Sequence, residues 1–164
     1  MSLAENTLLT GSHAGMVRHG VVQHAVARAS ARATIDAFKV KCGSEQSAAE
    51  RLSGGNLQKF IVGREIRLAP RVLLAAQPTW GVDVGAAQLI HRALIDLRDS
   101  GSAVLVISEE LDELFTLCDR IAVLTAGRLS AAHPRSQLTV EAVGLLMAGA
   151  AKATTGATRE CANA

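Results

Sequence analysis

Ser53, Gly54 and Gly55 are the residues of this 164-residue chain best suited to do chemistry, and they open the run Leu52-Ser53-Gly54-Gly55-Asn56-Leu57-Gln58-Lys59. Serine is a good helix N-cap, and two glycines let the first helical turn approach another surface with no β-carbon in the way. The unpaired N–H groups and the dipole of a helix start attract anions, phosphate among them, and the Ser53 hydroxyl adds a donor. Alone, such a triplet is common in surface loops and caps. It gains weight from a second run, Gln77-Pro78-Thr79-Trp80-Gly81-Val82-Asp83, which follows a short apolar stretch.

The elements that must position these residues follow from punctuation and periodicity. The chain reads as a loop to about Gly15, then as a helix over about 21–38, with Val22, Ala25, Ala29, Ala33 and Ile35 or Phe38 near helical spacing. A loop over 43–49 precedes a helix from Ser53 or Gly54 to about Leu68, whose apolar stripe is Leu57, Ile61, Val62 and Ile66; Pro70 stops it. Val72 to Ala76 and Ala103 to Ile107 are uninterrupted apolar runs, the pattern of parallel strands buried on both faces. Between them, Ala87, Ile90, Ala93 or Leu94, and Leu97 mark an amphipathic helix over 84–99, closed by Gly101. Ser108-Glu109-Glu110 begins a further helix to Leu117, with acidic residues in its first turn. A third strand is predicted over 120–124, then a turn at Ala126-Gly127, a hairpin return over 128–132 and a last helix from a Thr139 cap to Met147. Residues 150–164 are small and polar without an apolar period and read as a tail.

Strands alternating with helices define an α/β class with parallel pairing and right-handed crossovers. Ligands on such sheets sit at the carboxyl ends of strands, where Gln77 and Ser108 to Glu110 fall.

Composition removes other classes. Nearly half the residues are apolar (49%), with a mean hydropathy of +0.24, which argues for a packed domain. Seventeen Lys and Arg against fifteen Asp and Glu leave a net charge of +2, so no nucleic-acid footprint shows. The three cysteines, Cys42, Cys118 and Cys161, lack paired spacing and read as reduced thiols. His13, His19, His24, His91 and His133 are scattered without metal-ligand spacing. No apolar run approaches the roughly 18 residues of a membrane span, so a cytoplasmic location is expected.

The ordered motifs, together with Glu5-Asn6-Thr7-Leu8-Leu9 near the start, resemble the ATP-binding cassette (ABC) family over about residues 4–149. Leu52 to Lys59 is similar to the signature form found in importers of simple sugars and nucleosides. The resemblance implies a partial P-loop ATPase fold in four parts: an N-terminal segment (1–15), a helical subdomain with the signature (16–69), a C-terminal α/β part (70–149) and the tail. It also implies that Ser53, Gly54, Gly55 and Asn56 touch the γ-phosphate of ATP held, with Mg²⁺, by an opposing nucleotide-binding domain. Asp83, in the family's D-loop, is implied to lie at the same interface.

The sequence departs from the family's pattern at the groups that act on a domain's own nucleotide. No Gly-x-x-x-x-Gly-Lys-Ser/Thr loop occurs, and the family's glutamine loop is missing as well. The positions of the magnesium-holding aspartate and the catalytic glutamate carry Ala76 and Gln77, and the switch histidine aligns with Glu109. Alanine cannot engage magnesium, glutamine cannot accept a proton, and a carboxylate at position 109 repels phosphate. Leu57 and Trp80 also depart, standing where glutamine and arginine are usual; Leu57 fits a core position and Trp80 could cover an interface.

The expectation is therefore a C-terminal piece of a degenerate second cassette, binding ATP weakly by itself. It would be peripheral on the inner membrane face in a complex with permease subunits, with self-association possible for the piece alone. Two other readings are a DNA-repair or chromosome-type ABC head, opposed by the neutral charge and absent heptads, and a non-catalytic permease-docking module acting through residues near 16–50.

Overall fold

The computed structural model describes residues 1–149, so the tail expected over 150–164 lies outside the described residues. The chain divides into two compact units, one over Met1–Glu109 and the other from Glu110 on.

The first unit begins with a helix that punctuation obscured. Where a loop was expected, α1 spans Leu3–Gly11, started by a reciprocal capping box: Ser2 Oγ accepts from Glu5 N–H (3.1 Å) and Glu5 Oε2 accepts from Ser2 N–H (2.8 Å). The Leu3 and Ala4 amides donate to the Ser47 and Glu45 carbonyls, so the first turn of α1 is bonded to the 45–49 loop. A hairpin of β1 (Val17–Arg18) and β2 (Val21–Val22) follows, turning at His19 and Gly20, both with positive φ. This is the primed turn that suits a two-residue hairpin, and it delays α2 to His24–Ala37.

Helix α3 spans Gly54–Arg67, within a residue of expectation, but its buried face is rotated and keeps only Val62 of the expected stripe. Lys59, Phe60, Val62 and Gly63 are buried, while Leu57, Ile61 and Ile66 are half-buried. Gly63 sets this rotation, because any side chain there would occupy the space of the Phe38 ring at the end of α2. Lys59 lies buried with its stem in the core and its Nζ donating to the Lys39 carbonyl at 3.0 Å. Arg64 Nη1 donates to both the carbonyl and the side-chain oxygen of Asn6 (2.9 Å each), tying α3 to α1. Leu3, Ala27, Ala31, Phe60 and Ile90 form the centre of this unit.

Strands β3 (Val72–Ala76) and β4 (Ala103–Ile107) fall where expected and pair in parallel, joined by α4 (Val84–Asp99). Helix α4 buries Ala86, Ile90, Leu94 and Leu97. The strands are not buried on both faces, however. Leu73 is 8% exposed, but its neighbour Leu74 is 62% exposed, and Leu105 and Ile107 in register with Leu74 and Ala76 are open as well. An apolar run reports what a strand can be covered by; among the described residues nothing covers this face.

The second unit holds α5 (Leu111–Leu117), four two-residue strands and α6 (Val140–Met147), which Thr139 caps by accepting from Ala142 N–H at 3.2 Å. The strand expected over 120–124 is split. β5 (Arg120–Ile121) pairs antiparallel with β8 (His133–Pro134), and β6 (Leu124–Thr125) pairs with β7 (Arg128–Leu129) across the expected Ala126-Gly127 turn. Ser130 accounts for the break: its Oγ accepts from Val123 N–H (2.9 Å) where a ladder carbonyl would stand. Among the described residues the parallel sheet therefore has two strands.

Neighbouring leucines test this one-sided burial. Leu73→Ala should cost about 2–5 kcal/mol in urea denaturation, and Leu74→Ala less than about 1 kcal/mol. Equal losses would contradict an open face at Leu74.

Candidate functional site

Helix α3 starts with its amides available. Ser53 has the extended backbone of an N-cap, but its side chain caps nothing, contrary to the expected role. Its Oγ instead accepts from Asn56 Nδ2 at 2.9 Å, while Asn56 Oδ1 accepts from Lys41 N–H at 2.8 Å. Asn56 thus holds the Ser53 oxygen by a lone pair and leaves the hydroxyl hydrogen to donate elsewhere. Apart from adjoining residues and the helix's own backbone, no heavy atom lies within 4 Å of where a Cβ on Gly54 would stand, so that side of the first turn is open. A 14-residue helix with a donor-rich, uncovered start favours an anion there.

Gly55 has the opposite surroundings. A Cβ there would lie 2.9 Å from the Gly81 carbonyl oxygen and 3.5 Å from Val82 Cα. The first turn of α3 is pressed against the 77–83 loop at a contact that only glycine permits. One helical turn farther on, Gln58 Nε2 donates to the carbonyls of Gln77 (3.0 Å) and Pro78 (3.1 Å). Gln58 carried no expected role, although its spacing three residues after Gly55 places both on one helix face.

The loop is firmly held. Gln77 leaves β3 with φ +48, a left-handed conformation costly for a non-glycine residue, and its N–H donates to Ile107 O at 2.7 Å. Trp80 N–H donates back to Gln77 O (3.1 Å), Pro78 is fully buried, and Gly81 turns the chain with φ +70. Asp83 then caps α4, its Oδ1 accepting from Ala86 N–H at 2.8 Å. One carboxylate oxygen is occupied in this way, and the residue remains exposed.

The structure thus gathers Ser53, Gly54, Gly55, Asn56, Asp83 and Gln77 around the contact between α3 and the loop. Glu109 is exposed just past the end of β4, and because Gln77 bonds Ile107, the two strand ends carrying Gln77 and Ser108-Glu109 leave the sheet side by side. Ala76 is exposed on the open face of β3. Among the described residues no cluster of three His, Cys, Asp or Glu side chains could hold a metal ion. Away from the site, burial is the main cause pushing the Cys42 and Cys118 thiols up from their ordinary value, which lowers their thiolate fraction.

A parallel strand pair, a crossover helix and a helical segment carrying a glycine-rich helix start form an α/β architecture shared with solved ATP-binding cassettes. The dimeric post-hydrolysis structure of the ATP-binding cassette MJ0796 bound to ADP and Pi matches with a TM-score of 0.69 at 21% identity, over 82% of this chain and 57% of that one. Among curated proteins, the guanosine import ATP-binding protein NupO of Bacillus subtilis is 45% identical over 137 residues, 84% of this chain. The nucleoside import ATP-binding protein NupA of Lactococcus lactis is 42% identical over 91% of the chain, and the ribose import ATP-binding protein RbsA 2 of Streptomyces avermitilis 38% identical over 93%. The chain belongs to the ATP-binding cassette ATPases, among relatives named as nucleoside and sugar import ATP-binding proteins. It spans 27–30% of the length of these three relatives. No family model matches it. Among the described residues no helix is long and apolar enough to cross a membrane.

The two glycines separate by experiment. Gly54→Ala should fold like the parent, whereas Gly55→Ala should lose about 1–3 kcal/mol in chemical denaturation as the 77–83 loop is pushed away. A loss at Gly54 matching that at Gly55 would contradict the close contact.

Proposed function

We propose that this chain is the signature-bearing part of an ATP-binding cassette in an importer of sugars or nucleosides, and that it acts on ATP held by an opposing cassette. The observation carrying this reading is the uncovered start of α3 at Ser53-Gly54-Gly55, clamped by Asn56 and braced through Gly55 and Gln58 against the 77–83 loop. In that role the first-turn amides and the Ser53 hydroxyl donate to the oxygens of a γ-phosphate. The helix dipole adds attraction, and the bracing means that little reorganises as charge develops. Asp83 lies beyond Gly81 in the same loop and serves the same interface, its second carboxylate oxygen available once the first has capped α4.

This chain's own strand ends do not fit the catalytic part of a nucleotide site. Magnesium lacks a ligand at Ala76, and Gln77 can orient a water by hydrogen bonding but cannot take its proton. Glu109 places negative charge where a phosphate would need a donor. Both ATP and Mg²⁺ in this reading are held by the opposing cassette, and the cassette of this chain contributes little to its own turnover. The names of the relatives support import of a nucleoside or sugar; work at the cytoplasmic face of a membrane with permease subunits is what the family resemblance implies.

Ser53→Arg in the assembled ATPase is the direct test, because Ser53 is exposed and the change leaves the core untouched. ATP turnover should fall by about a hundredfold or more, from lost phosphate donors and a guanidinium filling their place. Unchanged turnover would falsify the role assigned to the helix start.

A further inference from the structure

Asn56 has both ends of its carboxamide committed within the chain. The Lys41 amide donates to Oδ1 at 2.8 Å, and Nδ2 donates to Ser53 Oγ at 2.9 Å. A backbone N–H can only donate, so the carboxamide oxygen must face Lys41 and the nitrogen must face Ser53. Ser53 Oγ is thereby an acceptor toward Asn56, and its hydrogen is left for a group outside this network. The segment that begins this sequence of bonds is itself fixed. Phe38 and Val40 are buried, Val40 N–H donates to the Ile35 carbonyl (2.9 Å), and Lys59 Nζ donates to the Lys39 carbonyl (3.0 Å). Asn56 and Lys59, neighbours on one face of α3, therefore grip the chain beyond α2 as an acceptor and a donor.

We infer that Asn56 is a positioning residue and not a phosphate ligand: it fixes the polarity of the Ser53 hydroxyl, so that this group meets the γ-phosphate as a donor. The inference rests on the reading of Ser53-Gly54-Gly55 given above and deepens it. A serine left to itself at an N-cap turns its oxygen onto the amides of the second or third helical residue, here Gly55 and Asn56, and uses up donors that an anion needs. The Asn56 side chain takes the place of those amides as the partner of Ser53 Oγ, and Ser53 caps nothing. One carboxamide thus keeps both kinds of donor, hydroxyl and amide, for the incoming oxygens. A carboxylate of the same shape would still accept from Lys41 but would also accept the Ser53 hydrogen, and the hydroxyl would turn inward.

The test is a double-mutant cycle in the assembled ATPase, with Asn56→Asp and Asn56→Ala each made alone and together with Ser53→Ala. Asn56→Asp should lower kcat at least about tenfold, since a misdirected donor is felt as charge develops on the phosphate. KM for ATP should stay within about threefold, because the nucleotide is held by the opposing cassette. Asn56→Ala, which only leaves Ser53 free to turn, should lose less. In the Ser53→Ala background each change at position 56 should cost under about twofold, because the group it positions is gone. Losses that persist there for both variants, as direct phosphate contact or a folding defect would give, overturn the inference, and so does a parent-like kcat in Asn56→Asp. If Ser53→Ala itself turns over at the parent's rate, the phosphate-contact reading fails and the positioning role with it; if Ser53→Ala is slow and the position 56 losses simply add to it, the positioning role alone is wrong.

Discussion

A separation of 2.9 Å, from the place where a Cβ would stand on Gly55 to the carbonyl oxygen of Gly81, sets the arrangement of the whole site. It brings the first turn of α3 flush against the loop leaving β3, and the other positions follow from it. Gln58, on the same helix face, reaches the Gln77 and Pro78 carbonyls only because the helix lies this close. Gln77 meanwhile adopts a left-handed backbone and bonds Ile107, so the loop is fixed at the sheet and at the helix together. Two weakly informative sequence runs thereby become a single braced unit that carries both an anion-attracting helix start and an exposed tryptophan.

The chemistry divides along that unit. At the start of α3 stand hydrogen-bond donors, an open approach over Gly54 and no acidic residue in the first turn, the conditions under which a phosphate is favoured. At the strand ends stand a methyl group, a carboxamide and an exposed carboxylate, which offer neither a metal ligand set nor a general base where one is needed. In the function proposed above, such a surface finishes a site that another cassette builds.

How far the sequence discloses this depends on which forces leave a mark on residue types. Helix α4 is read to the residue from its apolar spacing and from Gly101, whose positive φ ends it, while the Asp83 cap shows only in the folded chain. Helix α1 is hidden because Gly11, Ser12 and Gly15 read as loop, although the Ser2-x-x-Glu5 capping box was there to be found. The face of α3 is read only in part: Val62 is buried as expected, but Leu57, Ile61 and Ile66 are half-buried because the rotation is set by Gly63 yielding room to Phe38, a steric matter between helices. The apolar runs of β3 and β4 locate the strands but not the open side at Leu74 and Leu105, since burial depends on neighbours. At the site, Ser53 to Asn56 and Asp83 are legible as motif residues, and the resemblance carries their roles. The bracing by Gln58 and the lone-pair clamp by Asn56 are not legible, because a glutamine or asparagine shows no partner until the chain is folded.

The central claim is that the start of α3 acts on a nucleotide anchored elsewhere, and a structure of the assembled ATPase with a non-hydrolysable ATP analogue and Mg²⁺ tests it most directly. The account predicts the γ-phosphate within hydrogen-bonding distance, about 2.7–3.2 Å, of Ser53 Oγ and an α3 first-turn amide, with the nucleotide's phosphate loop belonging to the opposing cassette. A γ-phosphate far from Ser53, with this helix start facing solvent or a permease subunit in the nucleotide-bound state, would contradict it.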